Sequence, residues 1–237
     1  MAVAEPLCDI LDVGHIAVTA LAGVAFLGVA YLVWRYSHDG KVKRALENTP
    51  RVATTSFVDG SVGRVVGRVQ ALGPPLSAPL TGRSCVCYDV RVEEYRYHAY
   101  KGLITWQLVI REVVGQDFAI QDEHGRALVR YDPSWRVALV RDGQLSAGTC
   151  EKLAPTMAAY LERHLPGAGA AAPSRKMRFL EGVVEEGERV AVAGRGRIEP
   201  DPDPSAASGY RQTSMRLVLE GSERRPLYLS DDPYATD

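Results

Sequence analysis

The sequence predicts a mainly β domain, an antiparallel barrel or sandwich with one short helix (α+β at most), behind a single N-terminal transmembrane helix. Three observations predict it. Residues His15 to Trp34 read HIAVTALAGVAFLGVAYLVW, without one Asp, Glu, Lys or Arg. From Ser61 onward, short β-branched runs are split by Gly and Pro, the punctuation of many short strands. Only one later stretch, Pro155 to Leu165, has helical spacing, with Met157, Tyr160, Leu161 and Leu165 on one stripe and Pro at the start.

The apolar run comes first. As a helix of about 20 residues rising ~1.5 Å each, it spans roughly 30 Å, the thickness of a bilayer's hydrocarbon core. A cleavable signal peptide wants a basic leader and a small-residue cleavage site. Here the leader holds Glu5, Asp9 and Asp12 with no Lys or Arg, and the run ends in Tyr31, Trp34, Arg35 and Tyr36. A buried soluble helix seldom stays uncharged for so long. Arg35, Lys41, Lys43, Arg44 and Arg51 follow the run, so the positive-inside rule puts the N-terminus outside and the remainder in the cytoplasm. Tyr31, Trp34 and Tyr36 fit an interfacial aromatic belt, with Arg35, Lys41, Lys43 and Arg44 at headgroup level.

The later elements follow in order. Lys41 to Glu47 extends a helix until Asn48 and Pro50 stop it. GRVVGRVQAL is a strand, GPPLSAPLTG a rigid loop, and CVCYDVRVEEYRY a long strand. WQLVIREVV follows. DFAIQD and RALVRY form a hairpin around Glu123-His124-Gly125, and WRVALVRDGQLSAG another around Asp142-Gly143. RFLEGVV and ERVAVAGRGRI are strands joined through Glu186-Gly187, and MRLVLEG with PLYLS is the closing strand pair. The chain thus divides into an outer segment 1–14, a membrane helix 15–36, a juxtamembrane linker 37–60 and a β-rich domain 61–237 with loops at 166–175 and 199–209.

The chemistry-bearing residues are sparse. Charge is balanced, with 28 Lys and Arg against 29 Asp and Glu, so nothing points to nucleic acid. Four cysteines, Cys8, Cys85, Cys87 and Cys150, are too few and scattered for a disulfide framework. Cys85 and Cys87 share a strand face and are metal candidates with Cys150 or His98, but zinc sites are built from C-x₂-C pairs, and small strand residues are the simpler reading. A nucleophilic cysteine served by His98 or His124 has no motif to place it. Glu93 and Glu94 adjoin in a strand and face opposite ways, against a paired acid–base role. Gly194-Arg195-Gly196 opens no helix, so it is no phosphate loop. No catalytic residue, metal or cofactor is expected.

Two apolar features stand out as partner surfaces. One is the proline loop, Pro74, Pro75, Leu76, Pro79 and Leu80; the other is Tyr95, Tyr97 and Tyr100 at the far end of the long strand. Each is either packed under the barrel or presented to a partner.

PLSAPLTGRSCVCYDVRVEE, DFAIQDEHGRALV, FLEGVVEEGERVAVAGRGRI and PLYLSDD resemble the GIDE, or beside-a-membrane (BAM), domain of MULAN-type mitochondrial ubiquitin ligases and their bacterial relatives. The likeness runs from about Val65 to Ser230. In the ligases, two membrane helices bracket this domain and a RING finger recruits a loaded conjugating enzyme. A RING needs about eight Cys and His ligands in C-x₂-C pairs. This sequence shows no second apolar span and no such ligand set. The resemblance therefore implies a RING-less bacterial member at the inner membrane, a non-catalytic adaptor that binds lipid and a protein partner or a second copy. The alternatives are a ubiquitin-ligase-like component with a RING supplied in trans, and an enzyme using Cys or His chemistry.

Overall fold

The computed structural model describes Gly23, Ala25, Leu27, Gly28 and Tyr31, then residues 37–98, 100, 102–141, 145–167, 174–202 and 215–236. The outer segment 1–14 and most of the expected membrane helix 15–36 lie outside these residues. The five described residues of that run are helical. Among the described residues no helix is long and apolar enough to cross a membrane.

The remainder is mainly β. The strands are β1 (Val62–Ala71), β2 (Leu76–Ser77), β3 (Ser84–Cys85), β4 (Cys87–His98), β5 (Leu103–Gly115), β6 (Phe118–Gln121), β7 (Arg126–Val129), β8 (Arg136–Ala138), β9 (Ser146–Thr149), β10 (Lys176–Val184), β11 (Arg189–Pro200), β12 (Met215–Glu220) and β13 (Tyr228–Ser230). Five of them, in the order β1-β6-β7-β12-β11, close on themselves because β1 also pairs β11. All the barrel ladders are antiparallel except β12 on β7. Strand alternation does the rest: Val65, Val69, Phe118, Ile120, Ala127, Val129, Val190, Val192, Leu217 and Leu219 point into one buried cluster. Closure leaves the barrel without an open edge.

Phe57 seals this cluster. A Cβ at Gly63 would lie 2.6 Å from its ring and one at Gly196 only 2.3 Å away, so two glycines on paired strands make the seat for one aromatic side chain. The stretch expected as a linker, 37–60, is in large part domain structure. Ser37 Oγ accepts the Gly40 N–H at the start of helix His38–Asn48. Val42 and Leu46 of that helix pack on the barrel's outer wall, where Val66, Ala191 and Ala193 are small enough to admit a helix. Val52 N–H then donates to Arg64 O at 2.9 Å.

A second, antiparallel sheet has the order β5-β4-β10-β9. Helix Pro155–His164 begins on the expected proline and lays Met157, Tyr160 and Leu161 against Val90, Val92, Ile110, Met177 and Phe179. Residues 42–237 thus form one unit with two main apolar clusters.

Three expected strand pairs are corrected. β8 and β9 are not a hairpin: β8 pairs β13 in parallel and β9 pairs β10. The expected turn at 142–143 lies outside the described residues. β10 and β11 do not pair either; around Gly187, with φ at 81°, the chain leaves one sheet for the other. β12 and β13 lie one after the other on β11, at Arg195↔Glu220 and Ala193↔Tyr228. Fully buried Leu227, in the excursion between them, returns to the core. Each correction has the same cause: a turn signal marks where the chain reverses, not which strand it next meets.

Candidate interaction surface

The connection from β1 to β6 carries β4 and β5, which pair from Cys87↔Gly115 out to His98↔Leu103. The register shifts between Val92 and Glu93, leaving Val109 as the extra residue of a bulge. Up to Glu94, β10 supports β4 as a third strand. Beyond it the two strands run on as a ribbon. On one face the pairs Tyr95–Trp106 and Tyr97–Ile104 stack in sequence, with Leu108 behind them. Tyr95 and Trp106 meet edge to face at 5.6 Å. Arg178 lies 4.4 Å from the Trp106 ring centroid and is held there by its hydrogen bond to Glu93, while Lys176 sits over Tyr95. The opposite face is mostly polar: Arg96 pairs with Glu94, and His98 with Thr105 at 3.0 Å.

This stripe is not core. Tyr97 is 61% exposed, Ile104 57% and Leu108 49%; at the ribbon's end Tyr100 is 100% exposed and Leu103, opposite His98 on the other face, 55%. Scattered exposed apolar residues are ordinary, but contiguous ones mark contact surfaces. Of the tyrosines singled out from sequence, Tyr97 and Tyr100 are open and Tyr95 is half-buried. Leu103, Ile104, Trp106 and Leu108 escaped the sequence reading, because an apolar strand reads as buried unless its partner is known to run out alone.

The proline loop divides. Pro74 and Pro75 are exposed, and Leu76 and Pro79 are half-buried. Leu80 is buried in the cluster beneath helix Pro155–His164, which removes it from any partner surface. The buried Glu181 carboxylate fixes the turn, accepting the N–H groups of Leu80 and Thr81 and the Thr81 hydroxyl.

Cys85 and Cys87 are packing residues. Cys85 packs with Ala78 and Val183, and Cys87 belongs to the barrel cluster, so the two thiols serve different cores. Burial, reinforced by Glu181, pushes the Cys85 thiol up to about 11; burial also raises Cys87 well above its usual value. Neither supplies a thiolate at neutral pH. Asp89, buried beside them, is spent on Arg91 and Arg111. Glu93 and Glu94 go to separate cations, Arg178 for the first and Arg96 with Arg175 for the second. His98 ends β4, eleven residues along the strand from Cys87, and His124 lies in the β6–β7 turn. Among the described residues, no three His, Cys, Asp or Glu gather as a metal site.

A cleft of about 430 Å³ on the barrel wall is lined by Arg51, Arg68, Arg189, Asp122 and His124. Arg68 and Arg189 face each other across β1 and β11. Burial alone would raise the Asp122 carboxyl, but hydrogen bonds from Thr54, His124 and Gly125 outweigh it and hold the group below its usual range. This carboxylate is a turn anchor, its Oδ1 taking three of the four hydrogen bonds and its Oδ2 the fourth.

Of the residues expected at the membrane interface, Trp34, Arg35 and Tyr36 lie outside the described residues. Tyr31 is exposed on its helix and Lys41 is exposed, whereas Lys43 is paired with Asp232 of the domain. No family model, curated protein or solved structure matches the chain.

Proposed function

We propose that this chain is a membrane-anchored, non-catalytic interaction module: residues 15–36 hold a GIDE-like domain at a bilayer, the domain lies on the cytoplasmic side, and the β4–β5 ribbon makes its contact. The observation that carries the reading is the ribbon, an exposed apolar stripe with no structural role in either cluster. The uncharged run from His15 to Trp34 supports the anchor, as do the helical and exposed Leu27 and Tyr31. The spent carboxylates and protonated thiols support an absence of catalysis. The likeness of PLSAPLTGRSCVCY and LEGVVEEGERVAVAGR to GIDE-domain motifs supports a family of membrane-side modules.

Two measurements on the full-length chain in a bacterial inner membrane test this. Cys8 should react with an impermeant maleimide in intact spheroplasts, and the chain should resist alkaline carbonate extraction. Release by carbonate would overturn the anchor. In-cell photo-cross-linking from residues 95–108 should then yield lipid or protein adducts that vanish in the Tyr97→Ser/Ile104→Ser/Leu108→Ser variant. An unchanged cross-link map would overturn the ribbon's role.

A further inference from the structure

We infer that the ribbon's occupant is the membrane itself: Tyr97, Tyr100, Leu103 and Ile104 dip into the interface of an anionic bilayer. This rests on the anchored reading and names the partner of the same surface. The first argument is side-chain chemistry. The most exposed residues sit at the ribbon's free end, on both sides of the turn at Gly102, whose φ is 59°. They are tyrosines and aliphatics, and the next rung inward is Tyr95 with Trp106. Tyrosine and tryptophan partition to the headgroup level, where the ring is apolar and the tip is wet.

The second argument is charge. From Tyr95 to Trp106 the sequence YRYHAYKGLITW holds Arg96, His98 and Lys101 and no carboxylate, in a chain whose net charge is −1. The nearest carboxylates, Glu93 and Glu94, are held by Arg178 and by Arg96 with Arg175, so with Lys101 and Lys176 the cations around this end still outnumber the carboxylates. A cationic end with aromatic rungs complements anionic headgroups. It opposes a second copy of itself, which would bring cation against cation. Backbone sets the depth. β5 is an edge strand, and its unpaired N–H and C=O groups cannot enter hydrocarbon. The end therefore stops at the headgroup–acyl boundary and adds a second, shallow contact to the helical anchor.

The test uses the full-length chain in vesicles of phosphatidylcholine and phosphatidylglycerol. The phosphatidylglycerol carries a photoactivatable diazirine near the glycerol, and lipid adducts are mapped by mass spectrometry after illumination. Adducts are expected on residues 96–106 as well as 15–34. The variant Tyr97→Ser/Leu103→Ser/Ile104→Ser should lose the ribbon adducts about tenfold and keep those at 15–34. Omitting phosphatidylglycerol in favour of a phosphatidylcholine probe should lower ribbon labelling alone. Adducts at 15–34 without any on the ribbon would overturn the insertion and leave the anchor standing. Adducts on neither segment would overturn both. Ribbon-to-ribbon or ribbon-to-protein cross-links in place of lipid adducts would assign the surface to a second copy or another protein. Circular dichroism of the variant checks the fold, which these exposed residues do not support.

Discussion

Phe57 offers the sharpest test of how the barrel is sealed. Its ring is 5% exposed and rests on Gly63 and Gly196. Phe57→Ala removes a buried aromatic and should cost about 3–5 kcal/mol, a large share of the ~5–15 kcal/mol that stabilises a typical domain. With a urea slope of about 2–3 kcal/mol per molar, the midpoint should fall by roughly 1–2 M. Gly196→Ala attacks the same contact from the other side. Its Cβ would sit 2.3 Å from the ring, so overpacking should cost about 1–3 kcal/mol. In the double variant that Cβ enters the space the ring vacated. The two losses should therefore fail to add, with a favourable coupling of about 1–3 kcal/mol. Urea unfolding of the four proteins in mild detergent, followed by tryptophan fluorescence, to which buried Trp135 contributes, reads the cycle. Additivity within ~0.5 kcal/mol, or a Phe57→Ala midpoint shifted by less than ~0.4 M, would refute the seal.

Three further outcomes are expected. Burial lifts the Asp231 carboxyl from 3.8 to about 7, although Val140 N–H donates to it. The folded chain then keeps a proton the unfolded chain has lost, so this residue reduces stability progressively as pH rises through that window. Asp231→Asn should melt higher than the parent above neutrality and converge with it near the unfolded value; parallel melting curves across that range would count against the burial. Arg189→Glu should replace the facing pair with Arg68 by an ion pair worth about 0.2–1 kcal/mol, visible in low-salt unfolding and lost in high salt. Glu181→Leu should leave the Leu80 N–H without its acceptor at a cost of about 2–3 kcal/mol, and hydrogen exchange should rise at Leu80 and Thr81.

What the sequence disclosed was local. Alternation in GRVVGRVQAL, FAIQ and RALV marks strands with one face inward, and the Pro155 helix is announced by its first residue and its stripe. Pairing is a distant event, and no local signal carried it. β12 meets β7 in parallel across ninety positions, and β8 and β9 part to different sheets within eight residues. Segment 37–60 looked like a linker because three residues, Val42, Leu46 and Phe57, do most of its packing amid polar neighbours. On the ribbon, the tyrosines betrayed themselves by clustering. The aliphatic half, Leu103, Ile104 and Leu108, looked like ordinary strand interior, since exposure there depends on β10 ending its support at Glu94. Leu80 misled in the opposite sense: prolines beside it signalled a surface loop, while a carboxylate a hundred residues away drew it inward.

The β1–β11 seam also has a meaning in time. Val62 pairs with Arg195, so about 130 residues must leave the ribosome before the seam can form. At ~5–20 residues per second that is roughly 7–26 s, long against the microseconds in which a hairpin folds. Through that interval β1 is a strand with one edge unclaimed and Phe57 has only half its seat. The ribbon and the β6–β7 hairpin can form early, but the barrel stays an open trough until β11 and then β12, which joins it to β7, have arrived. Newly made chains are therefore most exposed to proteases and to one another at this late step.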